Sequence, residues 1–322
     1  VSRALADHPH IKGETKARVQ ALARQLGYVP NGSARTMRGQ HAPTIGLIVP
    51  DIQNEFYAAI AKIVADAAGA RGFQLALSIT EDNPEREMND LRALMAARAA
   101  GIVVTPSPAP RPQTLAWLDS VNAAQLVRQH AGVRHDAVVI DDFMGVAAAA
   151  RHLVHCGHRD IAYIGTDAGL SCGEERLAGF RSVMIEHGLN PGRVALGHPR
   201  PEFSHHAVHT LMGGAAAPTA LVMGSSSLTI GALKALRSLR LDIPGDVSIV
   251  GYGDPVWFEL LEPGLTTVRL PVQEMGQYVT SLLLSRLAPG APPEAPGQAG
   301  RRASRFAPSL VLRGSTRPLG AA

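Results

Sequence analysis

The chain has 322 residues, of which 46% are hydrophobic and 18% charged, and its formal net charge is +4. This composition predicts a folded protein with room for two domains and a small additional segment, and argues against intrinsic disorder. No apolar run approaches the roughly 18–20 residues that cross a bilayer, so we expect no membrane association. The two cysteines, Cys156 and Cys172, cannot form a disulfide framework. Residues 1–20 lack the apolar stretch of a signal peptide, which predicts a cytoplasmic protein.

Charge is distributed unevenly along the chain. Residues 1–40 carry a net charge of +5 and residues 288–322 a net charge of +4, which leaves −5 for residues 41–287. A small basic segment before a mildly acidic body is typical of a nucleic-acid-binding module joined to a second function. A solvated basic terminus without a partner would have the same charge, so charge alone leaves both interpretations open.

The first predicted element is an amphipathic helix that begins near Thr15. Its apolar positions recur at i, i+3, i+4 and i+7 and are Val19, Leu22, Ala23 and Leu26. Gly27 and Pro30 follow and end the helix. So short a segment buries little apolar surface and is marginally stable by itself.

A short hinge-like stretch follows this helix. Asn31 can cap a helical turn that contains Arg35, Met37 and Arg38 before Gly39 ends it. A helix of this length does not form alone in water, so we expect it to become ordered only when a partner holds it.

The body of the chain alternates short apolar strands with longer helices. The predicted strands are Thr44–Val49, Gln74–Ile79, Gly101–Thr105, Ala137–Ile140, Ile161–Gly165, Ala220–Met223 and Val247–Val250. The predicted helices are Glu55–Arg71, Pro84–Ala99, Met144–Cys156, Glu174–His187 and Leu228–Leu239. Strands without polar alternation, separated by helices, predict parallel sheets covered on both faces. The pattern is too long for one sheet and predicts two lobes with a ligand cleft between them.

The carboxyl-terminal part of the chain completes these lobes. Residues 288–304 are rich in Pro and Gly and predict a surface loop, and Ser309–Leu312 is predicted to be the last strand. We assign residues 44–141 and 273–302 to the first lobe. The second lobe is assigned residues 142–268 and 303–316.

Several motifs in this order resemble the LacI/GalR family of bacterial transcription regulators. Near the N-terminus they are VSRAL at Val1, ETKARVQALARQLGYVPNGSARTMRG at Glu14 and TIGLIVPDIQNEFY at Thr44. Further along they are GHRDIAYIG at Gly157, ERLAGF at Glu175, VSIVGYGD at Val247, PGLTTVRLP at Pro263 and SLVLRGST at Ser309. The resemblance covers essentially the whole chain, and the motifs are specific as a set although each alone is weak.

The resemblance implies the domain organisation of a regulator. Residues 1–30 would form part of a helix-turn-helix DNA-binding domain, residues 31–40 a hinge helix, and residues 41–322 a two-lobed core like that of periplasmic sugar-binding proteins. The implied partners are pseudo-palindromic operator DNA, a small-molecule effector and a second copy of the chain, in a homodimer or tetramer associated with the nucleoid. Val1–Arg3 matches the recognition helix, so the preceding helix of the family is absent and the chain as written would bind DNA weakly.

The resemblance also implies residues for DNA binding. Arg3 matches a base-contacting position, where a guanidinium can bridge guanine O6 and N7. Thr15 and Asn31 match phosphate-contacting positions. Met37 matches the hinge residue that wedges into the minor groove, between the cations Arg35 and Arg38. A solvated linker is the alternative interpretation for both arginines.

For the effector, Arg176 matches the family's ligand-clamping arginine, and the alternative is a surface cation. Phe56 and Tyr57 resemble aromatic ligand contacts, although ordinary core packing would use the same residues. Phe203 is the aromatic residue nearest to a stacking position in the second lobe. Ser225 and Asp254 follow predicted strands and complete the candidate site.

Three acidic positions of the family are absent from this chain. Gly253, Arg128 and the pair Ser225–Ser226 occupy them. Carboxylates hold the hydroxyl groups of neutral sugars and repel anions, so their loss beside Arg176 predicts an anionic effector, such as a sugar acid or another small organic acid. Asp254 lies one position away and could fill the vacated space.

Other chemistries find less support. His152, His155, Cys156 and His158 lie close together but lack a usual zinc spacing, and His205, His206 and His209 lack an accompanying acid. No nucleophile elbow or nucleotide-binding glycine motif is present, so we expect neither an enzyme nor a cofactor or metal. A solute-binding protein with the same core remains the alternative function, although it would need an export signal and no basic hinge.

Overall fold

The computed structural model describes residue 4 and residues 10–26, 43–214, 216–287 and 302–319. The chain divides into two compact units, Val1–Ala42 and Pro43–Ala322. No helix in the described part of the chain is both long and apolar enough to span a bilayer.

The described part of the first unit contains helix α1 (Gly13–Gln25), which agrees with the amphipathic helix expected from Thr15 onward. Leu22 is 54% exposed and Leu26 71% exposed. The described residues of this unit therefore bury little apolar surface, as expected for so short a segment.

The second unit contains two α/β lobes. The first lobe, called here the N lobe, contains β1 (Thr44–Val49), α2 (Glu55–Gly69), β2 (Gln74–Ile79), α3 (Pro84–Ala96), β3 (Gly101–Val104), α4 (Pro112–Asp119), β4 (Ala123–Leu126) and β5 (Ala137–Ile140). The other lobe, the C lobe, contains α5 (Asp142–His155), β6 (Ile161–Thr166), α6 (Ser171–Glu186), β7 (Val194–Gly197), α7 (Pro201–Met212), β8 (Ala220–Met223), α8 (Ser226–Ser238), β9 (Ser248–Tyr252) and β10 (Thr267–Arg269). The chain then forms α9 (Val272–Ser285), β11 (Ala303–Phe306) and β12 (Ser309–Val311).

Each lobe is built on a six-stranded sheet. The strand order is β11-β5-β4-β3-β1-β2 in the N lobe and β12-β10-β9-β8-β6-β7 in the C lobe. All neighbours are parallel except β12, which is antiparallel to β10. The predicted two-lobed α/β core is therefore confirmed.

Both faces of each sheet are covered by apolar clusters. In the N lobe, α2 and α9 pack on one face around Ile60 and Val279, and α3 packs on the other around Leu91. In the C lobe the two clusters are centred on Phe180 and Leu236. These buried faces explain why the central strands are uninterrupted apolar runs.

The chain crosses between the lobes three times: after β5, after β10 and between β11 and β12. The predicted boundary at residues 302 and 303 needs correction, because β11 pairs with β5 in the N lobe and the last crossing lies at Ala307–Pro308. The alternating sequence of β11 did not reveal this, since an edge strand needs no continuous apolar run. Arg305 on β11 forms a bidentate ion pair with Glu175 on α6, at 2.7 and 2.8 Å, and so joins the two lobes.

Candidate functional site

A cavity of about 1000 Å³ lies between the lobes, at the carboxyl ends of the strands of both sheets. Its walls come from the segments that follow β1, β2 and β4 in the N lobe and β6, β7, β8, β9 and β10 in the C lobe. This edge is where ligands bind in open parallel sheets, and the volume suits a small molecule.

On the C-lobe side, Arg176 is buried at the floor of the cavity. Its Nε donates to Asp142 Oδ1 at 2.8 Å, and its Nη1 donates to the Gly224 carbonyl at 2.9 Å. The guanidinium carbon lies 4.3 Å from the centre of the Tyr252 ring, whose hydroxyl also donates to Asp142. Although burial alone would lower the pKa of Arg176, the neighbouring charge of Asp142 raises it, so the cation is permanent.

Two regular helices position this pair. Asp142 is the first residue of α5, which Asp141 caps by accepting from the Met144 amide, and Arg176 lies in the second turn of α6. The hydrogen bonds from Arg176 to Asp142 and Gly224 use Nε and Nη1 and do not involve the Nη2 atom. Because Arg176 lines the cavity, this atom is a donor available to a ligand.

On the N-lobe side, Arg128 also lines the cavity and is equally buried. It follows the end of β4 and binds both carboxylate oxygens of Asp82, which follows β2; the Nη2–Oδ2 distance is 3.1 Å. Nη1 also donates to the Pro106 carbonyl at 3.2 Å. The cavity floor thus holds one arginine–aspartate pair from each lobe.

Tyr57 and Cys172 line the same cavity as the two arginines. Burial raises the pKa of Tyr57 to about 12, while Arg128 and Arg176 both act to lower it, so both guanidinium groups are within electrostatic range of its hydroxyl. Cys172, in the first turn of α6, is within the same range of both arginines. Tyr57 is therefore neutral at physiological pH and offers a hydroxyl at the cavity floor.

Three other candidate residues line the cavity: Phe56, Ser225 and Asp254. The polar groups of Ser225 and Asp254 are already bound within the protein. Phe56 lines the cavity and packs edge-on against Tyr57 with ring centres 5.2 Å apart. Ser225 also lines it, but its hydroxyl caps α8 by accepting from the Leu228 amide. Asp254 lines the cavity with its carboxylate engaged by Arg269 at 2.7 Å and Arg313 at 2.8 Å, so it does not supply the free carboxylate considered above.

Phe203 requires a correction. It does not line the cavity; its ring packs against Gly197, where an added Cβ would lie 2.5 Å from the ring, and joins the apolar cluster under α7. Because Gly197 has no side chain, the Phe203 ring can pack directly against β7. The ring therefore contributes to the apolar core and not to the cavity.

Three side-chain hydrogen bonds join the lobes across the cavity. Trp257 Nε1 donates to Glu55 Oε1 at 3.0 Å, and Ser226 donates to Asn54 Oδ1 at 3.4 Å. The backbone amide of Gln129 donates to the Ser171 hydroxyl at 2.9 Å. These hydrogen bonds connect the two lobes at the cavity.

The histidine clusters do not form metal sites in the described ranges. His158 contacts Thr219 at 2.9 Å and the Arg317 carbonyl at 3.2 Å, and His152 contacts Thr316 at 2.9 Å. His209 contacts Ser238 at 3.0 Å. These contacts hold helices to neighbouring segments.

Of the residues predicted to bind DNA, the structure describes only Thr15. It is exposed in the first turn of α1. The others lie outside the described residues and are Arg3, Asn31, Arg35, Met37 and Arg38.

Residues 150–316, just over half of the chain, match the family model of the periplasmic binding protein-like domain. The chain is 29% identical to the transcriptional regulator GalR of Escherichia coli, over 98% of this chain and 91% of that protein. It is 29% identical to the transcriptional repressor PurR of Pectobacterium atrosepticum, over 89% of this chain and 86% of that protein. The crystal structure of the lac repressor dimer bound to operator and an anti-inducer shares the fold, with a TM-score of 0.81 at 22% identity over 98% of this chain and 94% of that one.

The fold and the matched domain define a two-lobed protein of the periplasmic binding protein-like class. The relatives narrow this class further: the chain belongs to the LacI/GalR family of bacterial transcription regulators. The expectation that the chain is not an enzyme is confirmed by these relatives, which are regulators.

Two features of the cavity floor were missed by sequence reasoning. Arg128 was noted only as a lost acidic position, and Asp82 was not considered at all. Both follow strand ends on the ligand side of a parallel sheet, which is the signal that could have identified them. Their pairing depends on the order of the strands, which the sequence does not display.

Proposed function

We propose that this regulator is a repressor whose affinity for operator DNA is controlled by a small organic acid bound between the lobes. The observation that carries the effector class is Arg176, a buried, permanently charged guanidinium at the cavity floor with Nη2 available to a ligand. Arg176 together with Phe56, Tyr57 and Ser225 would form the effector site, with Asp254 holding Arg269 and Arg313 beside it.

The charges around the cavity support an anion over a neutral sugar. The buried aspartates Asp82, Asp142 and Asp254 are each already bound by an arginine. Neutral sugars are held by carboxylates with free lone pairs, whereas these three are engaged beside a donor on Arg176. The other acidic residues of the lining, Asp51, Glu55, Glu81 and Glu202, are exposed or partly exposed. An acid of the sugar-acid type matches this arrangement.

DNA binding would follow the family's organisation. Residues 1–30 would contribute Arg3 and Thr15 to the operator interface, and residues 31–40 would contribute Asn31, Arg35, Met37 and Arg38 through a hinge helix. Two copies of the core, residues 41–322, would hold two hinges on a pseudo-palindromic site, in a homodimer or a tetramer. An effector that changes the closure of the lobes would change the population of ordered hinges.

The effector class is tested by thermal unfolding of the full chain with matched neutral sugars and sugar acids, such as galactose, galactonate, glucose and gluconate. Arg176→Lys keeps a cation beside Asp142 but loses the planar fork, so acid affinity should fall by about tenfold or more. Arg200→Gln is the matched control because Arg200 is exposed at the rim of the same cavity. Stabilisation by neutral sugars alone, or unchanged acid binding by Arg176→Lys, overturns the acid hypothesis.

Regulation is tested by selecting bound duplexes from a random pool with the full chain, followed by titration with the acid found above. We expect recovered sites with two-fold symmetry, affinity that falls steeply with salt, and a change in affinity when the acid is added. Because weak binding is expected of this chain, the selection is run at low salt, and recovery of no preferred sequence there would contradict the proposed DNA-binding role.

A further inference from the structure

The guanidinium group of Arg128 has an unused binding edge. A guanidinium carries five N–H donors arranged along two edges, each of which can bind a carboxylate bidentately. Asp82 occupies the edge formed by Nη1 and Nη2, and Nη1 also donates to Pro106. On the other edge, Nε is buried and has no hydrogen-bond partner among the described residues.

A buried donor without an acceptor is unfavourable and rare in folded proteins. The position is also one of backbone strain, because Val127, Glu81 and Asp82 have φ values of +65°, +52° and +58°. Positive φ is uncommon for such residues and is disfavoured most for β-branched valine. Strain of this kind is retained where the surrounding structure fixes a functional group.

The two arginines of the cavity floor come from opposite lobes, and Tyr57 and Cys172 lie within electrostatic range of both. A ligand that reaches both guanidinium groups would therefore span the cleft. Such a ligand needs a hydrogen-bond acceptor at each end, since each arginine offers N–H donors and no acceptor, and a carboxylate makes the strongest contact because it can bind bidentately.

We propose that the effector is a dianion of the dicarboxylic acid class, bound by Arg176 in the C lobe and by the unused edge of Arg128 in the N lobe. This inference rests on the proposed function, which needs only one acidic group. Bridging would add the two arginines to the side-chain hydrogen bonds that join the lobes, so the ligand would favour the closed cleft.

Asp82 would compete with the ligand for the guanidinium group of Arg128. Its carboxylate holds the Arg128 side chain in the present orientation and offsets its charge. Nε becomes accessible to a ligand when the side chain rotates toward the cavity, so Asp82 competes with the ligand for Arg128. The other nearby carboxyl is Glu87, which accepts from the Ser107 amide and hydroxyl at 2.9 and 2.6 Å; burial raises the pKa of Glu87 and favours its neutral form.

The experiment compares diacids with their monoamides by isothermal titration calorimetry of the full chain. The pairs are succinate with succinamate, glutarate with glutaramate and adipate with adipamate, which differ only in the charge at one end. Because a bidentate charged contact is lost, the best-bound diacid should bind about tenfold or more tightly than its monoamide.

Three variants assign that preference to Arg128. Asp82→Asn should increase the ratio of diacid to monoamide affinity, because the competing carboxylate is removed. The double variant Arg128→Gln/Asp82→Asn removes both charges together, so no unpaired buried ion remains, and its ratio should fall to about one. Arg134→Gln is the control: Arg134 is an exposed arginine outside the cavity lining that pairs with Asp119, so the ratio should be retained.

The outcomes separate this inference from the proposed function. If the monoamides bind through Arg176 with the same affinity as the diacids, the dianion inference is overturned and the proposed acid effector remains intact. A diacid preference that persists in the double variant would also overturn the role of Arg128. Binding of no acid by the folded wild-type chain would overturn both proposals.

Discussion

The two arginine–aspartate pairs of the cavity floor are both buried ion pairs, but one lies on helices and the other on loops. In the C lobe, Arg176 and Asp142 stand on regular helices, and Tyr252 both stacks on the guanidinium and donates to the carboxylate. In the N lobe, Arg128 and Asp82 stand on strand-end loops with positive φ angles, and Arg128 Nε lacks a partner among the described residues. Tyr252 therefore contacts both members of the first pair, whereas the second pair lies on strained backbone and leaves Arg128 Nε without a partner among the described residues.

This difference indicates that the two lobes would contact the effector in different ways. A fully packed pair on helices keeps one geometry, because moving it would break several contacts at once. A pair on loops can exchange partners at lower cost, since part of the strain is released. The C lobe would therefore provide a constant anchor for the effector, and the N lobe an adjustable one.

The substitution Asp142→Asn is expected to have the largest effect on the free energy of unfolding. This change leaves the Arg176 charge buried without its carboxylate and weakens the acceptor for Tyr252. We expect the free energy of unfolding to fall by about 3–5 kcal/mol, which urea denaturation would measure. Tyr252→Phe keeps the stacked ring and loses one hydroxyl, so it should cost only about 1 kcal/mol. Equal losses in the two variants would argue against a charge-dominated C-lobe pair.

A smaller effect is expected for Asp82→Asn. Arg128 keeps its bond to the Pro106 carbonyl, and among the described residues no second side chain donates to Asp82 as Tyr252 does to Asp142. Asparagine also tolerates positive φ. The loss of unfolding free energy should be about 1–3 kcal/mol. A loss as large as that of Asp142→Asn, in the same urea experiment, would contradict the difference drawn between the two pairs.

The smallest effect concerns Glu87, which lies beside the N-lobe pair. Burial raises its pKa in the native state above the ordinary value, so its contribution to stability is present at low pH and is lost as the pH rises through the raised native pKa. Glu87→Gln should therefore match wild type near pH 4 and become relatively more stable toward pH 7. Unfolding measured across this range checks the sign, and a variant that loses relative stability as the pH rises would contradict it.

Much of the fold was predictable because the central strands are buried on both faces. Ala137–Ile140 and Ala220–Met223 were predicted with their observed bounds, since an uninterrupted apolar run marks each of them. The strand Ala123–Leu126 was missed because Ala-Ala-Gln-Leu has no β-branched residue, although it is fully buried. Arg128, which follows this strand, was predicted only to replace an acidic position of the family and not to bind the effector.

The site was predictable to a smaller extent. Tyr57, Arg176 and Ser225 were identified and do line one cavity, because the family motifs and the strand ends mark them. The partners of the arginines were not identified, since Asp142 lies 34 residues before Arg176 and Asp82 lies 46 residues before Arg128. Such pairs depend on which strands are neighbours, a property of the folded sheet.

The short segment from β11 to β12 has a consequence for how the protein folds. Its first strand completes one sheet by pairing Ala303 with Ala137, and its second completes the other by pairing Ser309 with Arg269. Neither sheet can therefore acquire all its strands on the ribosome until nearly the whole chain has been synthesised. Both sheets thus depend on the carboxyl-terminal strands, and removal of residues 303–311 should leave each of them with an open edge.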